Sequence, residues 1–404
     1  MSSQKVIPYG RQHITDEDIQ AVVNVLKSDF LTQGPEIEKF EKSFADYIGS
    51  KYAVAVSNGT AALHLSNLAL GVTQGKKVIT TPITFAASAN SVLYCGGEVD
   101  FLDIDPRTYV MDLDLLEQKL QNAPMGTYSG IIPVDFAGYP VNMERLRAIA
   151  NQYGLWIIED ACHAPGAFYT DSNGIKQKNG NGVHADLAIF SFHPVKHIAC
   201  GEGGMITTNK KNLYKKLLML RTHGIHKDAS KFKNSKLQAI GNEPGTLNTE
   251  PETYPEWYYE MQNLGYNYRL TDFQAALGNS QLKKADDGSE RRRDIAKAYY
   301  AAFNDKPFIK GQSGTIEGHA YHLYIIEVND RLKLYNYLRS QKIFAQIHYI
   351  PVHTLPYYKG LGWSNGDFPI AENYYKNCLS LPMYPTLTIE EQNFVIKKIN
   401  EFYA

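Results

Sequence analysis

One pattern constrains this chain more than any other. Short apolar runs, each closed by a turn, alternate with stretches of helical periodicity. The runs at 52–56, 77–81, 99–104, 130–134, 155–158 and 187–192 have the length and composition of strands. Helical patterns fill 37–48, 61–70 and 143–153. Strands separated by helices imply an α/β fold, a parallel sheet wound on both faces. In such a sheet, ligands bind outside the carboxyl ends of the strands. The residues just after each run are therefore where chemistry is expected.

Those residues are distinctive. After 52–56 come Ser57-Asn58-Gly59-Thr60 and then Ala61, the start of a helix. Free N–H groups and the helix dipole at such a start favour a phosphate. Ser57 or Asn58 would also serve there as a plain cap. Phe85 follows the run at 77–81, either as a core residue or as a flat lid on an aromatic ring. The run at 155–158 ends in Glu159-Asp160, with Cys162 and His163 close behind. A carboxylate at the end of a buried strand must be paired, hydrogen-bonded or neutral. The run at 187–192 contains Ser191 and is closed by His193-Pro194, since proline cannot donate to a strand ladder. Lys196 follows at once, where a turn can present its amine to a cleft. In apolar surroundings that amine loses its charge readily and becomes nucleophilic, whereas a lysine in an open turn is merely solvated. Gly201-Glu202-Gly203-Gly204 then permits a tight return.

Composition narrows the options. At 404 residues the chain exceeds what one core usually serves, so two domains are expected, 1–280 and 281–404. A net charge of -1 argues against nucleic acid or a membrane surface as partner. The four cysteines, Cys95, Cys162, Cys200 and Cys378, are far apart, which opposes a zinc site or a disulfide framework and fits a reducing compartment. No metal is expected. With no apolar leader and no run long enough for a bilayer, the expected location is cytoplasmic. Further along, Leu31-Thr32-Gln33-Gly34-Pro35 reads as a polar loop, and 226–256 as a long surface insertion. A helix at 291–300 would link the domains. Strand or helix is expected at 322–328, 331–340 and 345–350. His348-Tyr349-Ile350-Pro351 makes a dense polar-aromatic cluster, suited to interface packing or to a ligand.

Pyridoxal 5′-phosphate needs a lysine, a carboxylate for its pyridinium nitrogen, a phosphate cup and a face for its ring. Lys196, Asp160, the Gly59-Thr60-Ala61 turn with Ser191, and Phe85 supply all four at strand ends. On these residues, together with Thr81-Pro82-Ile83-Thr84-Phe85, Glu159-Asp160-Ala161 and Gly265-Tyr266-Asn267-Tyr268-Arg269-Leu270, the chain resembles the DegT/DnrJ/EryC1/StrS sugar aminotransferases. The resemblance implies the fold-type I architecture of pyridoxal-phosphate transferases, with a large mostly parallel-sheet domain and a smaller C-terminal α/β domain. It implies that Lys196 carries the cofactor, that Asp160 partners the pyridinium, that Phe85 covers the ring and that His163 lies near its O3′. Thr60, Ala61 and Ser191 would hold the phosphate, with Asn267 reaching it from the partner of a homodimer. Tyr9, Leu31 to Gly34, and His348 to Pro351 would line the sugar site.

Pro8-Tyr9-Gly10-Arg11-Gln12, Ser28-Asp29-Phe30 and His193-Pro194-Val195-Lys196 resemble the altrosamine branch of the family, on the pseudaminic acid pathway. The substrates implied are a UDP-linked 4-keto-6-deoxy-N-acetylhexosamine and glutamate, which leaves as 2-oxoglutarate. Ser57-Asn58-Gly59-Thr60 is closer to the wider family. A 3- or 4-ketosugar aminotransferase of the 4-amino-arabinose type is the alternative, and a cofactor-binding regulator the reading from another class. A dehydrating branch carries histidine in place of the lysine. Here Lys196 is present, which favours amine transfer.

Overall fold

Residues 6–235, 253–311 and 317–404 are described by the computed structural model. Seven strands form one sheet, in the order Tyr52–Val56, Gly204–Thr208, Leu187–Ser191, Trp156–Asp160, Gly130–Ile132, Lys77–Thr80 and Glu98–Phe101. Gly204–Thr208 is antiparallel to both its neighbours, and the other adjacent pairs are parallel. The link at 192–203 carries no crossover helix, so the chain after Ser191 folds straight back beside its own strand.

Alternate residues of each strand enter different cores, as a doubly covered sheet requires. Val54, Val56, Ile158, Ile189 and Ile206 cluster with Ala62 and Leu65 of the helix Gly59–Ala69. Ala53, Ala55, Ala188 and Phe190 cluster with Phe40 and Phe44 of the helix Pro35–Ile48. Both faces are thus buried, and the strand ends emerge along one edge.

A helix at Ala285–Phe303 leads to a second, antiparallel sheet of Lys310–Gly311, Tyr324–Glu327 and Cys378–Leu381. Arg331–Ser340 and Ile389–Tyr403 are its helices. The start of the chain joins this part. Ile7–Pro8 pairs in parallel with Ile343–Phe344, and Ile7 packs with Ile343 and Leu379. That pairing sets the Tyr9 ring 5.1 Å from the His348 ring, across most of the sequence.

The structure departs from two sequence expectations. The linking helix is longer than 291–300, because Asp286 and Asp287 complement the dipole of an earlier first turn. The run at 345–350 is not a strand. Gln346 makes one bridge to Ser380, after which the chain bends inward and His348 Nδ1 meets Ser380 Oγ at 2.9 Å. The expected insertion at 226–256 lies partly outside the described residues. Among the described residues, no helix is long and apolar enough to cross a membrane.

Candidate active site

A cavity of about 430 Å³ opens where the strands of the large sheet end. Trp156–Asp160 delivers Asp160, Leu187–Ser191 delivers Ser191, and the turn after it delivers Lys196. Gly59 and Thr60 enter from the first turn of Gly59–Ala69, and Phe85 from the link after Lys77–Thr80. Tyr9, His348 and Tyr349 close the side formed by the second sheet.

The polar groups are held in place. Asp160 Oδ2 accepts from Ser88 Oγ at 2.7 Å, and Oδ1 accepts from the Cys162 N–H at 3.2 Å. His163 Nδ1 accepts from the Ala137 N–H at 3.2 Å. Its proton therefore sits on Nε2, which faces Tyr349 Oη at 3.2 Å and donates to it. Burial keeps this imidazole neutral, well below the usual histidine range. Burial also lowers the Lys196 amine to about 8, against the opposing pull of Cys162 and Asp160. Near neutral pH the amine is thus charged yet close to losing its proton. Phe85 is 63% exposed, which rules out the core reading and leaves its ring free over the cavity, 6.2 Å from the ring of Tyr349.

The relatives of this chain fit that arrangement. The family model for the DegT/DnrJ/EryC1/StrS aminotransferase family matches residues 12–400. The chain belongs to this family. The Bacillus subtilis spore coat polysaccharide biosynthesis protein SpsC is 37% identical, over 98% of this chain and 96% of that one. The UDP-4-amino-4,6-dideoxy-N-acetyl-beta-L-altrosamine transaminase of Campylobacter jejuni strain 81-176 is 36% identical, over 96% of each chain. Among solved structures, Helicobacter pylori PseC, an aminotransferase of pseudoaminic acid biosynthesis, superposes with a TM-score of 0.84 at 28% identity, over 98% of this chain and 99% of that one. The protein is a pyridoxal-phosphate-dependent aminotransferase with the expected α/β architecture.

The residues present in this aminotransferase fit that cofactor. At the turn expected to hold the phosphate the backbone is closely packed around its glycines. A Cβ on Gly59 would stand 3.1 Å from Ser191 Cβ, and one on Gly204 would stand 2.5 Å from the Asn58 carbonyl oxygen. Asn58 caps the helix by accepting from the Ala61 N–H at 2.8 Å, so that donor is already used. The capping reading of this turn therefore holds, and an anion would have to use the donors that the cap leaves over. The earlier N–H groups of Gly59 and Thr60, with the hydroxyls of Thr60 and Ser191, would form the donor set for a phosphate.

Of the residues expected from the sequence, Lys196, Asp160, His163, Gly59, Thr60, Phe85, Ser191, Tyr9, His348 and Tyr349 all line the cavity. Ala61 is buried beside it. Leu31, Thr32, Gln33 and Asn267 are exposed and, like Gly34, Ile350 and Pro351, do not line the cavity of this chain. Sequence reasoning missed Ser88, Glu202 and His322, which do. Ser88 looks like an ordinary small residue of a helix, and His322 like the first residue of a strand. Glu202 lies within a glycine-rich turn read only for its flexibility.

Proposed function

We propose that this aminotransferase moves an amino group from glutamate to a UDP-linked 4-keto-6-deoxy-N-acetylhexosamine, in nucleotide-sugar biosynthesis on the pseudaminic acid pathway. The observation that carries this reading is the mouth of the cavity. Tyr9, His348 and Tyr349 place broad, hydrogen-bonding aromatic surface beside Lys196, which suits a sugar better than a tight amino-acid pocket does. The Campylobacter relative, whose name states such a product, supports the choice of sugar.

Bound pyridoxal phosphate supplies the electron sink that lets a C–H bond beside the amine be broken. The residues do the rest. Lys196 carries the cofactor and moves the proton, which its low basicity favours. Asp160, fixed by Ser88, keeps the pyridine nitrogen protonated. Phe85 covers the ring, and Gly59, Thr60, Ala61 and Ser191 surround the phosphate. Tyr349, oriented by neutral His163, faces the sugar. Leu31 to Gly34 and Asn267 complete the site of a partner subunit in a homodimer, with Ile350 and Pro351 shaping the approach. Residues 1–280 form the cofactor-binding domain, with the opening strand Ile7–Pro8 lent to the smaller domain of 281–404, and the enzyme works in the cytoplasm.

The test is single-turnover decay of the pyridoxamine-loaded enzyme against a panel of UDP-linked ketosugars and 2-oxo acids. Fast decay with the UDP-4-keto-6-deoxy-N-acetylhexosamine, and slow decay with the free sugar, is expected, because nucleotide contacts orient the ketone. A preference for a 4-keto-arabinose substrate would replace this sugar with the alternative. Indifference to every ketosugar would sink the reading.

A further inference from the structure

His322 lies far from Lys196 in sequence but beside it in space. Its Nε2 is 3.5 Å from Lys196 Nζ, and the residue is 4% exposed. Two features fix the ring there. Buried Arg292 donates to the backbone carbonyls of Tyr321, His322 and Met383, at 3.3, 3.4 and 2.9 Å. The imidazole also packs against His163, with 4.2 Å between ring centroids. Among the described residues, His322 Nδ1 is buried with no hydrogen-bond partner.

This geometry decides the tautomer. Burial, reinforced by Lys196, His163, His197 and Arg292, holds the ring neutral. A neutral imidazole has one N–H and one lone pair. Facing an ammonium, the nitrogen at 3.5 Å must offer the lone pair, which puts the proton on Nδ1. We propose that His322 is a positioning residue of this site, whose Nε2 accepts a hydrogen bond from the Lys196 amine and aims that amine into the cavity. The inference rests on Lys196 being the working amine. It goes beyond that reading in naming what steers the amine and what helps keep its proton.

The charged and titratable groups around the amine are Asp160, Cys162, His163, His197, His348 and Arg292. Asp160 favours the ammonium and Arg292 opposes it. His163, His197 and His348 are all held neutral by burial. Beside these groups, His322 places a ring nitrogen within hydrogen-bond reach of Nζ, at 3.5 Å.

The test measures the amine directly. The full-length protein stripped of cofactor is labelled with acetic anhydride across pH, and modification of Lys196 is followed by mass spectrometry. The wild-type midpoint is expected near 8. A hydrogen bond to the charged form is worth enough that His322→Phe should lower the midpoint by about one pH unit. His322→Asn, too short to reach Nζ, should lower it as well, which keeps the test open if the phenylalanine variant misfolds. His322→Gln places an acceptor at the same reach and should restore the midpoint. In the pyridoxamine-loaded enzyme, where the lysine is free, the pH profile of the ketosugar half-reaction should move the same way. An unmoved midpoint in folded His322→Asn, or a glutamine variant displaced as far as the asparagine one, would overturn the role of His322. A Lys196→Ala variant that still turns over would instead refute the role of the lysine, and the labelling result would stand apart from it.

Discussion

At the floor of the cavity, Asp160, Ser191 and Lys196 stand at or just after the ends of buried strands. Leu31, Thr32 and Gln33, expected to line the sugar site, and Asn267, expected to reach a partner's phosphate, stand exposed and away from this chain's cavity. Both regions are tied into the chain by hydrogen bonds. The Gly34 and Glu36 N–H groups donate to the Asp272 carboxylate at 2.8 and 3.0 Å, and Asn267 bridges to Thr222. The difference is one of support. The floor is positioned by its own chain, through strands whose two faces are packed. The exposed stretches are tied to the rest of the chain by these bonds yet do not line its own cavity; under the proposed function they would complete a partner subunit's site.

The sharpest way to break this comparison is subunit mixing. Lys196→Ala should lose about a thousandfold or more in turnover while staying folded. Asn267→Asp should place a carboxylate against the phosphate of the neighbouring site and inactivate it. If Asn267 crosses the interface, a heterodimer of the two variants has one site with both native residues. A statistical mixture should then recover about a quarter of wild-type activity, half of the dimers each having half of their sites. No recovery after verified exchange would return Asn267 to its own subunit and remove the distinction between floor and mouth.

A smaller effect tests the floor alone. Asp160→Asn keeps the shape of the side chain but removes its charge, so the pyridine nitrogen loses its counter-ion. A loss of about a hundredfold is expected with the cofactor still bound, because the phosphate donors are elsewhere. Ser88→Ala should cost less, since the Cys162 N–H still orients the carboxylate. Equal losses in the two variants would mean that Ser88 is itself part of the chemistry. Cofactor content and turnover, measured on the same preparations, separate these outcomes.

The floor was also the legible part of the sequence. Apolar runs closed by Asn58-Gly59, Asp160 or Pro194 announce both a buried strand and the polar residue at its tip, so local pattern and site coincide. His322 shows where that coincidence fails. It opens an apolar stretch like any residue at a strand start, and only the packing of the second sheet against the first brings it to Lys196. Ser88 is equally illegible, since it lies on the helix Ala87–Tyr94 and its partner Asp160 ends a strand far away in sequence. At 345–350 the regular element expected is not formed, because His348 turns to meet Ser380, a contact between distant residues that local pattern does not encode.

Tyr349 lies between the two regions. It comes from a part of the chain outside the large sheet, yet it reaches the floor through His163 Nε2 at 3.2 Å. Since His163 donates in that bond, the Tyr349 hydroxyl keeps its own proton free to donate elsewhere. Burial raises the tyrosine far above its ordinary range, so its hydroxyl stays protonated near neutral pH. A sugar offers hydroxyl and keto oxygens to such a donor, and its ring can lie against the aromatic face. Glutamate needs only its amine at Lys196 and anchors for its carboxylates. Tyr349→Ala should therefore slow the sugar half-reaction by about tenfold and the glutamate half-reaction by no more than about twofold. Tyr349→Phe should fall between, keeping the face and losing the proton. Single-turnover rates for each half-reaction decide the matter. If both slow equally, Tyr349 serves the cofactor rather than the sugar, and it belongs with the floor.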